Sequence, residues 1–257
     1  MKKKRNYRRV TIITWVIIFA IWYMLTKLNL VSQILVPSPW MVWEAFIDIL
    51  KNGYNGISLF SHLGASFYRL FVAIFFAIII GVPLGLLSGY ISKIGAVVDS
   101  IVNFYRPIPP LAYYTLLILW FGIENESKII LLFLAAFAPI YVSCVSAVNR
   151  INQDYILSAS SLGANRKAIF TKVIVPACMP EIFTGLRTAV GVAYTTLVSA
   201  EMIAATSGIG WMVLDAQNWV KSDVIFVVII IMGITGILLD YIIVGIEKYF
   251  VFWRGNV

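Results

Sequence analysis

The stretch Leu157-Ser-Ala-Ser-Ser-Leu-Gly163-Ala-Asn-Arg166-Lys167-Ala-Ile-Phe-Thr-Lys172-Val173-Ile-Val175-Pro176 separates two long apolar runs and carries three cations and no anion. It is neither long nor apolar enough to cross a bilayer. Ile156, Ala159, Ser160 and Gly163 fall at helical spacing on one side, so its first part reads as a short amphipathic helix. Gly163 ends or bends that helix, and Pro176 cannot enter the next one without losing a hydrogen bond. The expectation is a short helix, a glycine turn and a second short helix stopped at the proline. A compact, basic, structured loop between membrane spans reads as a docking surface for something in the cytoplasm.

The composition makes lipid the solvent. Of 257 residues, 61% are hydrophobic and 12% charged, whereas a soluble domain carries about 25% charged residues. Such a chain cannot cover its own surface with polar groups. Eight Trp and thirteen Tyr suit a protein with two water interfaces to anchor. The net charge of +8 is no sign of nucleic acid, because much of it sits in Lys2, Lys3, Lys4, Arg5, Arg8 and Arg9, just before an apolar run. Those cations mark topology and face anionic lipid. Cys144 and Cys178 lie toward the cytoplasm on this topology, where a disulfide is disfavoured, and without histidine neighbours they make a poor metal site. His62 opens a span, where interfacial packing competes with a proton-relay role.

From the basic loop outward, six spans are predicted, with both termini in the cytoplasm. The first, about Val10 to Leu30, has too long an apolar core for a signal peptide and no small-residue cleavage site, so it reads as retained. Residues 31–61 form an outer segment. Within it Trp40, Val42, Trp43, Phe46, Ile47 and Leu50 share one helix face opposite Glu44, Asp48 and Lys51, as in a helix lying on an interface. Residues 62–257 form the core, with the basic loop at 150–180. Span two, about His62 to Tyr90, repeats Gly81, Gly85 and Gly89, a spacing that lets another helix approach, from the same chain or a second copy. Lys93 marks a cytoplasmic turn.

Span three is broken at Arg106-Pro107-Ile-Pro109-Pro110, because each proline removes a backbone donor. Irregular backbone at membrane depth survives only against protein or a water-filled cavity. The motif is therefore a pathway-lining kink, or else an elbow below a span from about Leu111 to Ile123. Span four runs from about Lys128 to Val148, span five from about Glu181 to Ala204 and span six from about Val224 to Lys248. The polar stretch Ser207 to Lys221 is too broken to span and reads as an outer cap.

Charges inside spans are few: Arg69, Arg187, Glu201 and Asp240. An ion at the bilayer centre costs at least ~2.5–3.5 kcal/mol, so each needs a partner, water or an interface. Arg69 and Glu201 lie at similar depth near the outer ends of spans two and five. Arg187 and Asp240 lie toward the inner ends of spans five and six. Structural pairing and a pathway role are both open for these residues. No Gly-x-x-x-x-Gly-Lys-Ser/Thr loop, metal cluster or nucleophile elbow occurs. Enzyme activity is not expected, and energy has to come from a separate subunit.

The basic loop resembles the cytoplasmic loop of ABC importer membrane subunits, whose pattern is Glu-Ala-Ala, three residues, Gly, nine residues, Ile-x-Leu-Pro. Ala159, Gly163, Val173, Val175 and Pro176 match in register, and Leu157-Ser158 stands where the family has Glu-Ala. Tyr105-Arg-Pro-Ile-Pro-Pro-Leu-Ala112, Trp120-Phe-Gly-Ile123, Pro180-Glu-Ile-Phe-Thr-Gly-Leu-Arg187 and Ala200-Glu-Met-Ile-Ala-Ala-Thr206 resemble the taurine, sulfonate, nitrate and bicarbonate branch, most of all the taurine permeases.

The resemblance implies an all-α polytopic protein of the type I ABC importer permease fold, in the bacterial inner membrane. It implies a coupling loop made by Leu157, Ser158, Ala159, Gly163, Ala164, Arg166 and Pro176. Beside it, the in-span charges and the proline break make Arg69, Arg106, Pro107, Pro109, Arg187, Glu201 and Asp240 the candidates for a pathway or gate. The implied partners are a second permease chain, two cytoplasmic ATPase subunits that bind ATP and Mg, and an extracytoplasmic solute-binding protein. The implied solute is taurine or another sulfonate, with nitrate or bicarbonate as alternatives. An ion-driven secondary transporter is the competing class. It predicts inverted repeats and midplane carboxylates; no repeat is evident and the charges lie near span ends.

Overall fold

In lipid a backbone is satisfied only within helices or a closed barrel, and long unbroken apolar runs select helices. The computed structural model describes residues 8–253. The topology cations Lys2, Lys3, Lys4 and Arg5, and Arg254, lie outside these. In chain order the helices are α1 (Arg8–Lys27), α2 (Pro39–Asn52), α3 (Leu59–Tyr90), α4 (Ser92–Tyr105), α5 (Pro110–Phe121), α6 (Asn125–Asn149), α7 (Gln153–Ser161), α8 (Arg166–Ile169), α9 (Val175–Ala204), α10 (Ile209–Asn218) and α11 (Ser222–Phe250). A π turn, Phe170–Ile174, joins α8 to α9. Among the described residues the only strand-like pairing is one bridge, Tyr54 to Ile57.

Among the described residues five helical runs are long and apolar enough to cross a membrane: Arg9–Lys27, Leu59–Tyr90, Asn125–Asn149, Arg166–Ala204 and Ser222–Phe250. The predicted span from Leu111 to Ile123 is not a sixth of this kind, since α5 has only 12 residues. Instead α4 and α5 are two short helices, both packed on α6 and joined through the proline break. Val102 packs on Phe137, Ala138 and Tyr141, and the Tyr105 hydroxyl donates to the Leu134 carbonyl at 3.3 Å. Those α6 residues are the middle of a 25-residue helix, so the break lies level with its centre and not below its end. Pro107, Pro109 and Pro110 remove three of four donors, the Ile108 amide alone donating, to the Tyr105 carbonyl at 3.0 Å, and Pro110 then opens α5 at a position that needs none.

The core is α3, α6 and α9. Leu70, Ala73 and Ala77 meet Leu132, Ala136, Ile140 and Cys144, and Ala189, Ala193 and Leu197 close the third side. Gly81, Gly85 and Gly89 belong to this seam: a Cβ on them would meet Ile140, Cys144 and Val148 of α6. The glycine repeat therefore serves packing within the chain, the first of its two readings. Cys144 and Cys178 are free and buried in the same core.

Helix α2 lies across one end of α11, and its buried residues are Val42 and Ile49, set against Val224, Val227 and Val228. Trp40, Trp43 and Leu50 are exposed, as a face lying on an interface requires, while Val42 of the predicted face and Ile49 turn into the core. The indoles are left free to anchor at an interface while the slimmer residues seat the helix. The predicted cap is α10, whose Ile209, Met212 and Ala216 are buried in the same cluster.

Candidate functional site

Three constellations lie along α9, one at each end and one beside its middle. At one end sits the α7–α8 segment. Asn152 caps α7, its side chain accepting from the Asp154 amide at 3.0 Å. The helix closes on Gly163 at φ +85°, with the Gly163 amide donating to the Ser160 carbonyl at 2.9 Å and the Ala164 amide to the Ala159 carbonyl at 3.0 Å. That pair of bonds is the Schellman closure, for which glycine is favoured because a Cβ strains a positive φ. Asn165 then caps α8, accepting from the Ala168 amide at 2.8 Å.

Ile156, Ala159 and Ala164 face the core. Tyr155, Leu157 and Leu162 are exposed, Leu162 by 89%. With Asp154, Ser158 and Ser161, the two leucines line an open hollow. Arg166, Lys167 and Lys172 are exposed beside it. Ser160, expected on the inner face, is exposed, and its hydroxyl donates to the Ile156 carbonyl.

The predicted stop at Pro176 does not occur. Through the π turn the chain is helical without a break from Arg166 to Ala204, so span five begins well before Glu181. A proline inside a helix lacks a donor and crowds the carbonyl four residues back. The wider turn, in which the Val175 amide reaches the Phe170 carbonyl, makes room for Pro176 in the first turn of α9.

At the far end of α9 a buried network gathers five segments. Arg69 Nη1 donates to Glu201 Oε1 at 2.6 Å and to the Ser207 carbonyl at 2.9 Å, while its Nε donates to Asn125 Oδ1 at 2.7 Å. Glu201 also accepts from the Ser66 hydroxyl at 2.8 Å and from the Gly210 amide at 2.9 Å. The Ile209 amide donates to Ser66 Oγ at 2.9 Å and the Gly208 amide to His62 Nδ1 at 3.2 Å. Three side chains from α3 and α9 thus satisfy the amides that α10 leaves open at its start. The Arg69 and Glu201 side chains are 7% and 0% exposed, so the expected pairing is present and sealed from solvent.

His62 is buried against Trp211, ring centroids 5.5 Å apart and nearly parallel, which is the packing role. Nearby the Tyr54 hydroxyl donates to Asp215 at 2.6 Å. Burial, and then that carboxylate, hold the phenol well above its usual range, so Tyr54 stays a donor.

Halfway along, Arg187 and Asp240 form a two-pronged pair, Nε to Oδ1 at 2.8 Å and Nη2 to Oδ2 at 2.9 Å. Unlike the first pair it is open, the side chains 44% and 50% exposed. A double-mutant cycle should be non-additive. Arg187→Ala and Asp240→Ala each lower transport or folded yield, and the double variant is no worse than either, because removing one partner strands the other. Strictly additive losses would show that the two act separately.

The break between α4 and α5 brings Arg106, Pro107 and Pro110 to the rim of a cavity of about 390 Å³, whose far wall includes Val192 of α9. Pro109, at the α5 cap, is exposed beside it. Sequence reasoning missed the partners of Arg69 and Glu201, namely Ser66, Asn125, Ser207 and Gly210. Ser66 lies one helical turn before Arg69, which was the available signal. It also missed that Thr184, Thr188, Gly191 and Thr195 recur along an exposed face of α9, next to Val192.

Residues 81–253 match the family described as binding-protein-dependent transport system inner membrane component. The chain is 38% identical to the taurine transport system permease protein TauC of Escherichia coli (strain K12), over 95% of this chain and 89% of that protein. It is 31% identical to the putative aliphatic sulfonates transport permease protein SsuC of Bacillus subtilis (strain 168), over 93% and 86%. Its fold is similar to an inward-facing structure of the MetNI methionine ABC transporter, with a TM-score of 0.66 at 20% identity, covering 75% of this chain and 95% of that one. Sequence, fold and the loop-to-core run of α9 agree: this chain belongs to the inner-membrane permeases of ABC importers, in their taurine, sulfonate and nitrate branch.

Proposed function

We propose that the chain is one of a pair of permease subunits that import taurine or another small sulfonate. An extracytoplasmic binding protein delivers the solute, and two ATPase subunits, which bind the ATP and Mg, drive the cycle. The observation that carries this reading is the unbroken helix from Arg166 to Ala204, because it joins the exposed α7–α8 hollow to the mid-level cavity and the buried network. In this reading α7 and α8 seat in the ATPase. Leu157 and Leu162 are its apolar contacts, Arg166 a charged one, and the exposed Leu157 stands where the family pattern has Glu. ATP-driven closure of the ATPase pair moves the two loops together and turns α9.

The α7–α8 end is then cytoplasmic, and α2 and α10 lie outside, where α10 receives the binding protein. The open Arg187–Asp240 pair sits on helices that cross the bilayer, so water or the second chain covers it and not lipid. The similarity to taurine and sulfonate permeases supports the solute class, with nitrate or bicarbonate as the alternatives. A secondary transporter would need an available carboxylate at mid-depth, but Glu201 and Asp240 are both tied to arginines.

Gly163→Val tests the docking role. A β-branched residue at φ +85° is strained by about 1–3 kcal/mol and deforms the turn, yet no neighbouring atom is displaced. The variant should remain folded, lose the ATPase on co-purification and lose uptake. Normal ATPase binding and uptake in Gly163→Val would refute the assignment. Titration of the cognate binding protein with taurine, other sulfonates, nitrate and bicarbonate identifies the solute.

A further inference from the structure

We propose that Arg106 is the permease's own contact for the negative group of its solute, at an anion subsite on the break between α4 and α5. The inference rests on the import reading above and adds a binding site to it. Arg106 is exposed, lies level with the middle of α6, and among the described residues no carboxylate stands within ion-pair range. Among the described residues the other charges well inside these helices have partners: Arg69 has Glu201, Arg187 has Asp240, and Asp99 of α4 accepts from the Tyr141 hydroxyl at 2.8 Å. An unpaired guanidinium at mid-depth is costly unless water or an anion meets it. Its planar fork suits the oxygens of a sulfonate, nitrate or bicarbonate.

The rest of the cavity supplies the opposite polarity. Pro110 has no amide for the Arg106 carbonyl, and Pro139 has none for the Ala135 carbonyl, so each loses the donor a helix would provide. All four residues line the same cavity, together with Tyr105 and Tyr113. Irregular backbone of this kind is sustained at membrane depth where it borders water or a ligand. A cation beside freed carbonyls fits a zwitterion whose sulfonate meets Arg106 and whose ammonium meets the carbonyls. The subsite thus favours an aminosulfonate over a bare inorganic anion.

The test uses the assembled transporter, with its ATPase and binding protein, in proteoliposomes. Uptake of taurine, its hydroxyl analogue isethionate, nitrate and bicarbonate is compared for wild type, Arg106→Gln and Arg106→Lys. Arg106→Gln should lower uptake about 10- to 100-fold, the worth of a hydrogen bond to a charged group, with Arg106→Lys between the two. A second readout needs no solute. Val192→Cys is labelled with methanethiosulfonates bearing a sulfonate or a quaternary ammonium, with and without Arg106→Gln, since the native thiols are buried. The anionic-to-cationic rate ratio should fall when Arg106 is removed. Wild-type uptake by Arg106→Gln, or an unmoved ratio, overturns the subsite. A wild-type complex that carries none of the four solutes while the ratio still responds overturns the solute class and leaves the anion contact standing.

Discussion

Glu201→Ala is expected to cost the chain about 3–5 kcal/mol of stability, the usual price of breaking one side of a buried ion pair. The carboxylate accepts from Arg69, Ser66 and Gly210 in a place with no solvent access. Removing it leaves a buried guanidinium without a counter-charge and the first turn of α10 without an acceptor. Arg69→Met should lose a comparable amount, since it strands Glu201 instead. The double change Arg69→Met with Glu201→Leu should recover much of the loss, because apolar replacement of a whole buried pair is often tolerated. Denaturant unfolding in detergent reads all three. A Glu201→Ala loss below about 1 kcal/mol would mean that the network adds little beyond its packing.

Gly85→Val is the second large effect. A Cβ at position 85 would stand 2.6 Å from Cys144 Cβ and 2.8 Å from the Tyr141 carbonyl oxygen. One of those atoms is backbone, so the strain has no flexible side chain to absorb it, and α3 must move off α6. Overpacking of this kind costs about 1–3 kcal/mol or more. It falls on close helix contact, a main source of cohesion inside a bilayer. Gly64→Val, on the same helix with open space around it, should be nearly silent. Equal melting temperatures for the two variants would contradict the seam.

The helices were legible because their signal is local: twenty apolar residues in a row have few other fates in lipid. The pairings of Arg69 with Glu201 and of Arg187 with Asp240 were legible too, since ions at matched depth on neighbouring spans have few alternatives. What sequence could not resolve depended on a third helix. The level of the Arg106–Pro110 break follows from Tyr105 reaching Leu134 on α6, a contact that no local pattern encodes. That α2 seats through Val42 and Ile49 was not legible, because their partners Val224, Val227 and Val228 lie far along the chain on α11. Pro176 looked like a stop because its rule assumes α geometry, and one π turn removes the clash.

That π turn also decides how motion would travel. Arg166 and Glu201 lie on one unbroken helical run, so a push at the loop is carried toward the buried network, with the π turn, Pro176 and Pro180 as the places where the run bends first. The run is pinned at Glu201 by the buried network, nine residues from Val192 and thirty-five from Arg166. With rise uniform along a helix, it behaves as a lever whose throw at Val192 is roughly a quarter of that at Arg166. A shift of about 4 Å at the loop then reaches the cavity as about 1 Å, with its force multiplied in the same ratio. On the import reading proposed above, the gear is low: large travel at the loop, small and forceful travel at the cavity.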